Sequence, residues 1–296
     1  MADITMKNEQ IEIGINYHGA ELRSIRKLAT DTEYLWCADP AFWNRSSPVL
    51  FPFVGMVKDG IYRHEGKEYK MGQHGFARDK DFKLVSQTAD EIWFELDDDE
   101  DSIARFPLHF HLEIGYKLLE NGVVVMWKVK NPAEEVLHFS IGAHPAFNCP
   151  VREGEKQTDC AFLLKDFEGN PIQEFNNTIF GTGGTVTPNH EMVRLENGLM
   201  PITEHLFDND AKVIENSQVG SVAILDKAGE AYLTVEFTSP LVGIWSPPKK
   251  QAPFVCIEPW YGRCDQEDFT GDLKDREWGN QLAEGEEFSA EYRILV

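Results

Sequence analysis

The fold class this sequence predicts is a large antiparallel β-sandwich, all-β, with residues 1–296 forming a single domain. Three observations predict it. Apolar and polar residues alternate with period two in many short segments, turn-forming residues separate those segments, and few amphipathic runs reach helical length. No Gly/Ser-rich or Pro-rich linker divides the chain, and no repeat of roughly 20–50 residues marks a propeller or solenoid.

In chain order the alternation predicts strands over 11–15, 92–96, 111–118, 125–130, 221–225, 233–238 and 289–295. Val125-Met-Trp127-Lys-Val129-Lys130 shows the pattern: apolar side chains take one face and polar ones the other, as in a half-buried strand. Glu120-Asn-Gly122 and Ala228-Gly-Glu230 are the turn material between neighbours. The acidic run Asp97-Asp-Asp-Glu-Asp101 lacks the ligand spacing and glycine of a calcium loop and reads as a solvated turn. The segment from Phe175 to Asn197, with Gly181, Gly183, Gly184 and Pro188, reads as a long connection beside the binding cleft.

Composition narrows the function. A net charge of -22 argues against nucleic acid, which is bound through clustered Lys and Arg, and against an anionic membrane. Nowhere do about 18 apolar residues run uninterrupted, and the N-terminal stretch lacks a basic region followed by an apolar one, so the expected location is cytoplasmic. Five scattered cysteines suit reduced thiols rather than a disulfide framework or a paired zinc site. In so acidic a chain, a cation beside the cleft carries weight, which singles out Arg78.

Four segments break the strand pattern with ionisable residues set among aromatics, Gly and Pro: Gln73-His-Gly-Phe-Ala-Arg-Asp79, Ile141-Gly-Ala-His-Pro-Ala-Phe-Asn148, Leu206-Phe-Asp-Asn-Asp210 and Cys256-Ile-Glu-Pro-Trp-Tyr-Gly262. Local conflicts of this kind mark function. Each ionisable residue reads as standing at a strand end, aimed toward a shared groove. Glu258 is the sharpest case, since an acid between Val255-Cys-Ile and Pro-Trp-Tyr is costly to bury without a task. His109-Phe-His111 suggests a metal pair, but an ordinary core strand outweighs it because Leu108 and Phe110 make the opposite face an apolar strip. No nucleophile elbow, phosphate loop or dinucleotide fingerprint is present.

Together, Gly19-Ala-Glu-Leu22, Glu33-Tyr-Leu-Trp36, Pro48-Val-Leu-Phe-Pro-Phe-Val-Gly55, the four segments above and Gly243-Ile-Trp245 resemble the aldose 1-epimerase (galactose mutarotase) superfamily, and its LacX-like branch most. The likeness runs nearly end to end. It implies a galactose mutarotase-like β-sandwich with an open sugar cleft, no organic cofactor and no metal. It also implies interconversion of the α and β anomers of a small-molecule sugar or sugar phosphate, by a monomer or homodimer. By resemblance Glu258 is the general base, His144 the general acid, His74 the histidine that polarises the ring oxygen, and Asp210 a carboxylate binding hydroxyls. Trp245, Trp260 or Phe147 would offer an apolar face to the pyranose ring. Where relatives place an arginine this chain has Met56, so Lys58 is the cation expected to reach inward; Arg78 resembles hexose-phosphate mutarotases. Two rival readings are a sugar-binding protein without catalysis and a glycoside hydrolase using Glu258 and Asp210.

Overall fold

A computed structural model describes residues 2–296. Two large antiparallel sheets carry the fold. One has nine strands, with Ser221–Leu225, Ala231–Phe237, Glu287–Leu295, Gly122–Lys130 and His111–Leu119 adjacent at its centre. The other has eight, running from the hairpin Glu174–Phe180/Val186–Arg194 through Lys212–Ile214, Leu241–Trp245 and Phe254–Tyr261 to Ile141–Ala143 and Val49–Leu50. A four-stranded sheet at the N-terminal end and two strand pairs complete it.

One core joins the two large sheets. Ile114, Trp127, Val235 and Ile294 from the nine-stranded sheet share it with Val242, Ile244, Val255 and Ile257 from the eight-stranded sheet. In Ala231–Phe237 buried and partly exposed residues alternate, as expected where one face meets the core and the other meets water. Phe254–Tyr261 differs: every residue but Tyr261 is buried. Its odd-numbered Val255 and Ile257 enter the shared core, while Phe254, Cys256 and Trp260 pack on the opposite face. Glu258 shares the parity of this second set, so period two places it on the far side of the sheet from the core. That side is the floor of a cleft.

Every strand predicted from the alternation is present: 11–15 and 221–225 keep their bounds, four others are extended by one to three residues, and 233–238 runs instead over 231–237. Two expectations are corrected. The acidic run leads into a short helix, Glu100–Arg105, whose first turn Asp99 caps by accepting from the Ser102 amide (2.7 Å) while Ser102 Oγ accepts from the Asp99 amide. Lys80 bonds Asp99 and Asp101, and together with the cap lowers the Asp99 pKa to about 2. The 175–197 segment is a hairpin, not an open connection. Its outer strand, Val186–Arg194, is a sheet edge exposed over most of its length, which removes the alternation and admits Pro188. Its tip does border the cleft, through Phe180 and Gly184.

Candidate active site

The cleft encloses about 490 Å³ above the eight-stranded sheet, within the range of small-molecule sites. Its floor is Glu258 in mid-strand, 1% exposed, paired in register with Gly243. Beside it lies the Trp260 indole, and the reason it lies flat is readable in the neighbouring strands. Any Cβ on Gly243 would meet the indole at 2.5 Å, and one on Gly142 at 2.7 Å. Two glycines facing one tryptophan across adjacent strands therefore clear the space beside the carboxylate.

His144 follows the short strand Ile141–Ala143 and precedes Pro145, which holds it extended. Its Nε2 stands 3.4 Å from Glu258 Oε2. Trp43 stacks on the imidazole (centroids 4.7 Å, 29°), and Trp245 and His74 meet it edge-on, each with centroids 5.4 Å away. His74 occupies a left-handed turn (φ 68°) pinned to the segment carrying Gly55: its amide donates to the Gly55 carbonyl (2.9 Å), and the Gly55 amide donates to His74 Nδ1 (3.0 Å). Because Nδ1 accepts, the neutral ring carries its hydrogen on Nε2 and presents one donor there.

Burial separates the titrations of acid and base. It pushes the Glu258 carboxyl well above the usual carboxylate range, with Asp210 adding to the effect. It lowers His144 to about 3, with Arg78 and Arg45 next in importance, and holds His74 well below the ordinary imidazole value. Glu258 Oε2 and His144 Nδ1 are buried without a hydrogen-bond partner among the described residues. Unsatisfied buried polar atoms cost stability, and their concentration at one spot is the mark of a site kept ready for a ligand. Asp210, also left-handed (φ 76°), borders the same cleft and keeps one oxygen on the Ala211 amide (2.8 Å); burial raises its pKa too.

The structure brings together His74, His144, Glu258, Asp210, Arg78, Trp245 and Trp260. It does not bring Phe147 or Lys58. Phe147 has the opposite parity to His144's neighbour Ala146 and lies fully buried in the shared core. Lys58 begins a 3-10 turn, and its amide donates to Asp265 Oδ2 (2.8 Å) outside the cleft, so it does not replace the missing arginine. Met56 packs under the hairpin tip, where a Cβ on Gly184 would meet its side chain at 2.8 Å. Glu258 is in the middle of its strand rather than at an end. His109 and His111 pair with Asp98 and with Asp97 and Glu113, away from the cleft.

Sequence reasoning missed the rim. Phe42, Trp43 and Arg45 come from one loop and Lys250 from another, and the Lys250 ammonium ties the two by donating to the Phe42 carbonyl (3.1 Å). The available signal was Asp39-Pro-Ala-Phe-Trp-Asn-Arg45, an aromatic and charged stretch with no strand period. Arg45 bonds Asp79 (2.7 Å), whereas Arg78 stands 3.9 Å from the same residue, and its Nε is buried without a partner among the described residues. Burial and then Arg45 lower the Arg78 pKa to about 10.

The sequence profile of the aldose 1-epimerase family matches residues 2–295. The chain is 31% identical over 267 residues to the chromosomal protein LacX of Lactococcus lactis subsp. lactis, covering 88% of this chain and 87% of that one. A galactose mutarotase related enzyme from Lactobacillus acidophilus superimposes with a TM-score of 0.92 at 33% identity, over 99% of this chain and 96% of that one. A galactose mutarotase-like protein from Lactobacillus casei gives 0.88 at 29% identity, over 99% of both.

Proposed function

Because this chain belongs to the aldose 1-epimerase family, whose members are isomerases of the mutarotase type, we propose that its cleft opens and recloses the ring of an aldose or aldose phosphate. The observation that carries the reading is the facing pair of Glu258 and His144, 3.4 Å apart on the cleft floor.

Anomer exchange requires a proton taken from the anomeric hydroxyl and another delivered to the ring oxygen. Burial makes the Glu258 carboxylate a stronger base and the His144 imidazolium a stronger acid, since a conjugate pair gains in one direction what it loses in the other. The reactive state, carboxylate with imidazolium, differs from a neutral pair by one proton moved across the contact. In the ring-opening step Glu258 takes the O1 proton as the carbonyl forms, the C1–O5 bond breaks, and His144 protonates O5. Rotation about C1–C2 exposes the other carbonyl face, and the reverse transfers close the ring. His74, fixed as an Nε2–H donor by Gly55, polarises O5. Asp210 accepts from sugar hydroxyls, and Trp245 and Trp260 bound the ring.

The test is anomer exchange followed by polarimetry or saturation-transfer NMR on a panel of free aldoses and aldose phosphates. Acceleration of at least one above buffer is expected; none on any member of the panel would sink the proposal.

Within it, Arg45, Arg78 and Lys250 favour a phosphorylated substrate. Two guanidiniums close enough to depress Arg78 repel each other, Asp79 beside both offsets this only in part, and a bound anion would relieve the remainder. Replacing Arg78 with Met removes a charge-assisted bond of roughly 1.5–3 kcal/mol, so KM for an aldose phosphate should rise about 10- to 100-fold while KM for the free aldose changes little. An equal change for both would place Arg78 outside phosphate recognition.

A further inference from the structure

The catalytic pair has a third neighbour that acid–base chemistry does not use. Cys256 lies two residues before Glu258 on the same strand face, fully buried, and it packs in the cluster under Trp43 and Trp245. Its Sγ, a ring nitrogen of His144 and a carboxylate oxygen of Glu258 all lie within 4.8 Å of one another. Cysteine, histidine and glutamate are the donors of zinc sites, and Glu258 Oε2 is buried without a hydrogen-bond partner among the described residues.

The geometry points to an inhibitory site for zinc or a similar thiophilic divalent cation, ligated by His144, Cys256 and Glu258, at which the metal occupies the acid and base needed for anomer exchange. Donors about 2.1 Å from one tetrahedral ion stand about 3.4 Å apart, and His144 Nε2 and Glu258 Oε2 are 3.4 Å apart already. Only the thiol must close in. Binding breaks the Cys256 S–H bond and the Glu258 O–H bond, forms S–metal and O–metal bonds and releases both protons to buffer; the imidazole donates its lone pair and no electron is transferred. Three protein ligands leave the fourth tetrahedral position to the cleft. Period two explains why the set exists: a strand buried on both faces puts residues 256 and 258 side by side, and the strand Ala146–Asn148 pairs across from Cys256, bringing His144 over both. The inhibition rests on the acid–base proposal above; the binding does not.

Cobalt(II) is a suitable probe, because a thiolate ligand produces a near-ultraviolet charge-transfer band that carboxylates and imidazoles do not. One equivalent added to the reduced wild-type protein should give that band, and equimolar zinc should bleach it. Cys256→Ser should show none. Under the same conditions zinc should slow anomer exchange at least tenfold, with recovery on adding EDTA. Cys256→Ser, its fold checked by thermal melting, should keep the metal-free rate and need at least tenfold more zinc for the same loss. The absence of a band in wild-type protein would overturn the proposal without any variant. So would a band that persists in Cys256→Ser, which would move the metal to exposed Cys37, or zinc binding without a band, which would move it to the carboxylates around His64. A band in a protein that exchanges no anomers would sustain the metal site and sink the mutarotase reading, so the two fail separately.

Discussion

Glu258→Gln should lower kcat for anomer exchange by about 10²- to 10⁴-fold, the usual contribution of a positioned proton-transfer group. That corresponds to roughly 3–5 kcal/mol of transition-state stabilisation. Glutamine keeps the shape and cannot accept the O1 proton, so substrate affinity should change less than turnover. The same variant has a second readout. Burial holds the Glu258 proton above the ordinary carboxylate pKa, so the folded chain binds it more tightly than the unfolded chain. The stability this contributes is complete below the unfolded value, near 4.3, and is lost as pH rises through the raised value. Glutamine cannot ionise and escapes that loss. The Tm of Glu258→Gln should therefore gain on wild type as pH rises through that value, while its activity stays low. In wild type, kcat/KM should fall as the pH rises through the same raised value, since above it the Glu258–His144 pair holds no proton for His144 to deliver. A wild-type profile without that alkaline limb, or a fully active Glu258→Gln, would remove Glu258 from the role of base.

Phe147→Ala should cost about 3–5 kcal/mol, the range for deleting a buried phenylalanine from a well-packed core. Phe147 is fully buried, pairs in register with Val255, and faces the side of the sheet opposite Cys256. The loss amounts to a Tm drop of roughly 5–10 °C for a chain of this size, with KM for the sugar unchanged wherever the protein remains folded. Thermal melting and steady-state kinetics check both halves. A raised KM with an unchanged Tm would return Phe147 to the cleft.

The opposed fates of His144 and Phe147, three residues apart in one motif, show where sequence reading stops. A motif says which residues travel together; it does not say which side of a sheet each one meets. Six of the nine strands in the larger sheet were legible because one face packs and the other meets water, so burial prints a period of two on the residues, as at 231–237. The strand carrying Glu258 is buried on both faces, and its apolar run has no period. Its one acid therefore looked like the end of a strand. Val49–Leu50 and Ile141–Ala143 are too short to show any period, although they hold the chain beneath Gly55 and His144. The edge strand Val186–Arg194 escaped for the converse reason: little of it is buried.

By itself, the order of residues determined the all-β class, most of the long strands, and the chemical types at the site: an acid set among apolar neighbours, two histidines beside Gly and Pro, and a carboxylate at 210. These are local properties, written by burial cost and by backbone preference. Tertiary structure alone decided that Phe147 and Lys58 stay outside, that Trp43, Arg45 and Lys250 form the rim, and that His144 stands 3.4 Å from Glu258 with Cys256 beside them. Those facts depend on which strands pair and on which face of a doubly buried sheet each side chain takes. Antiparallel pairing brings together residues that lie more than a hundred positions apart in the chain, and no local pattern records it.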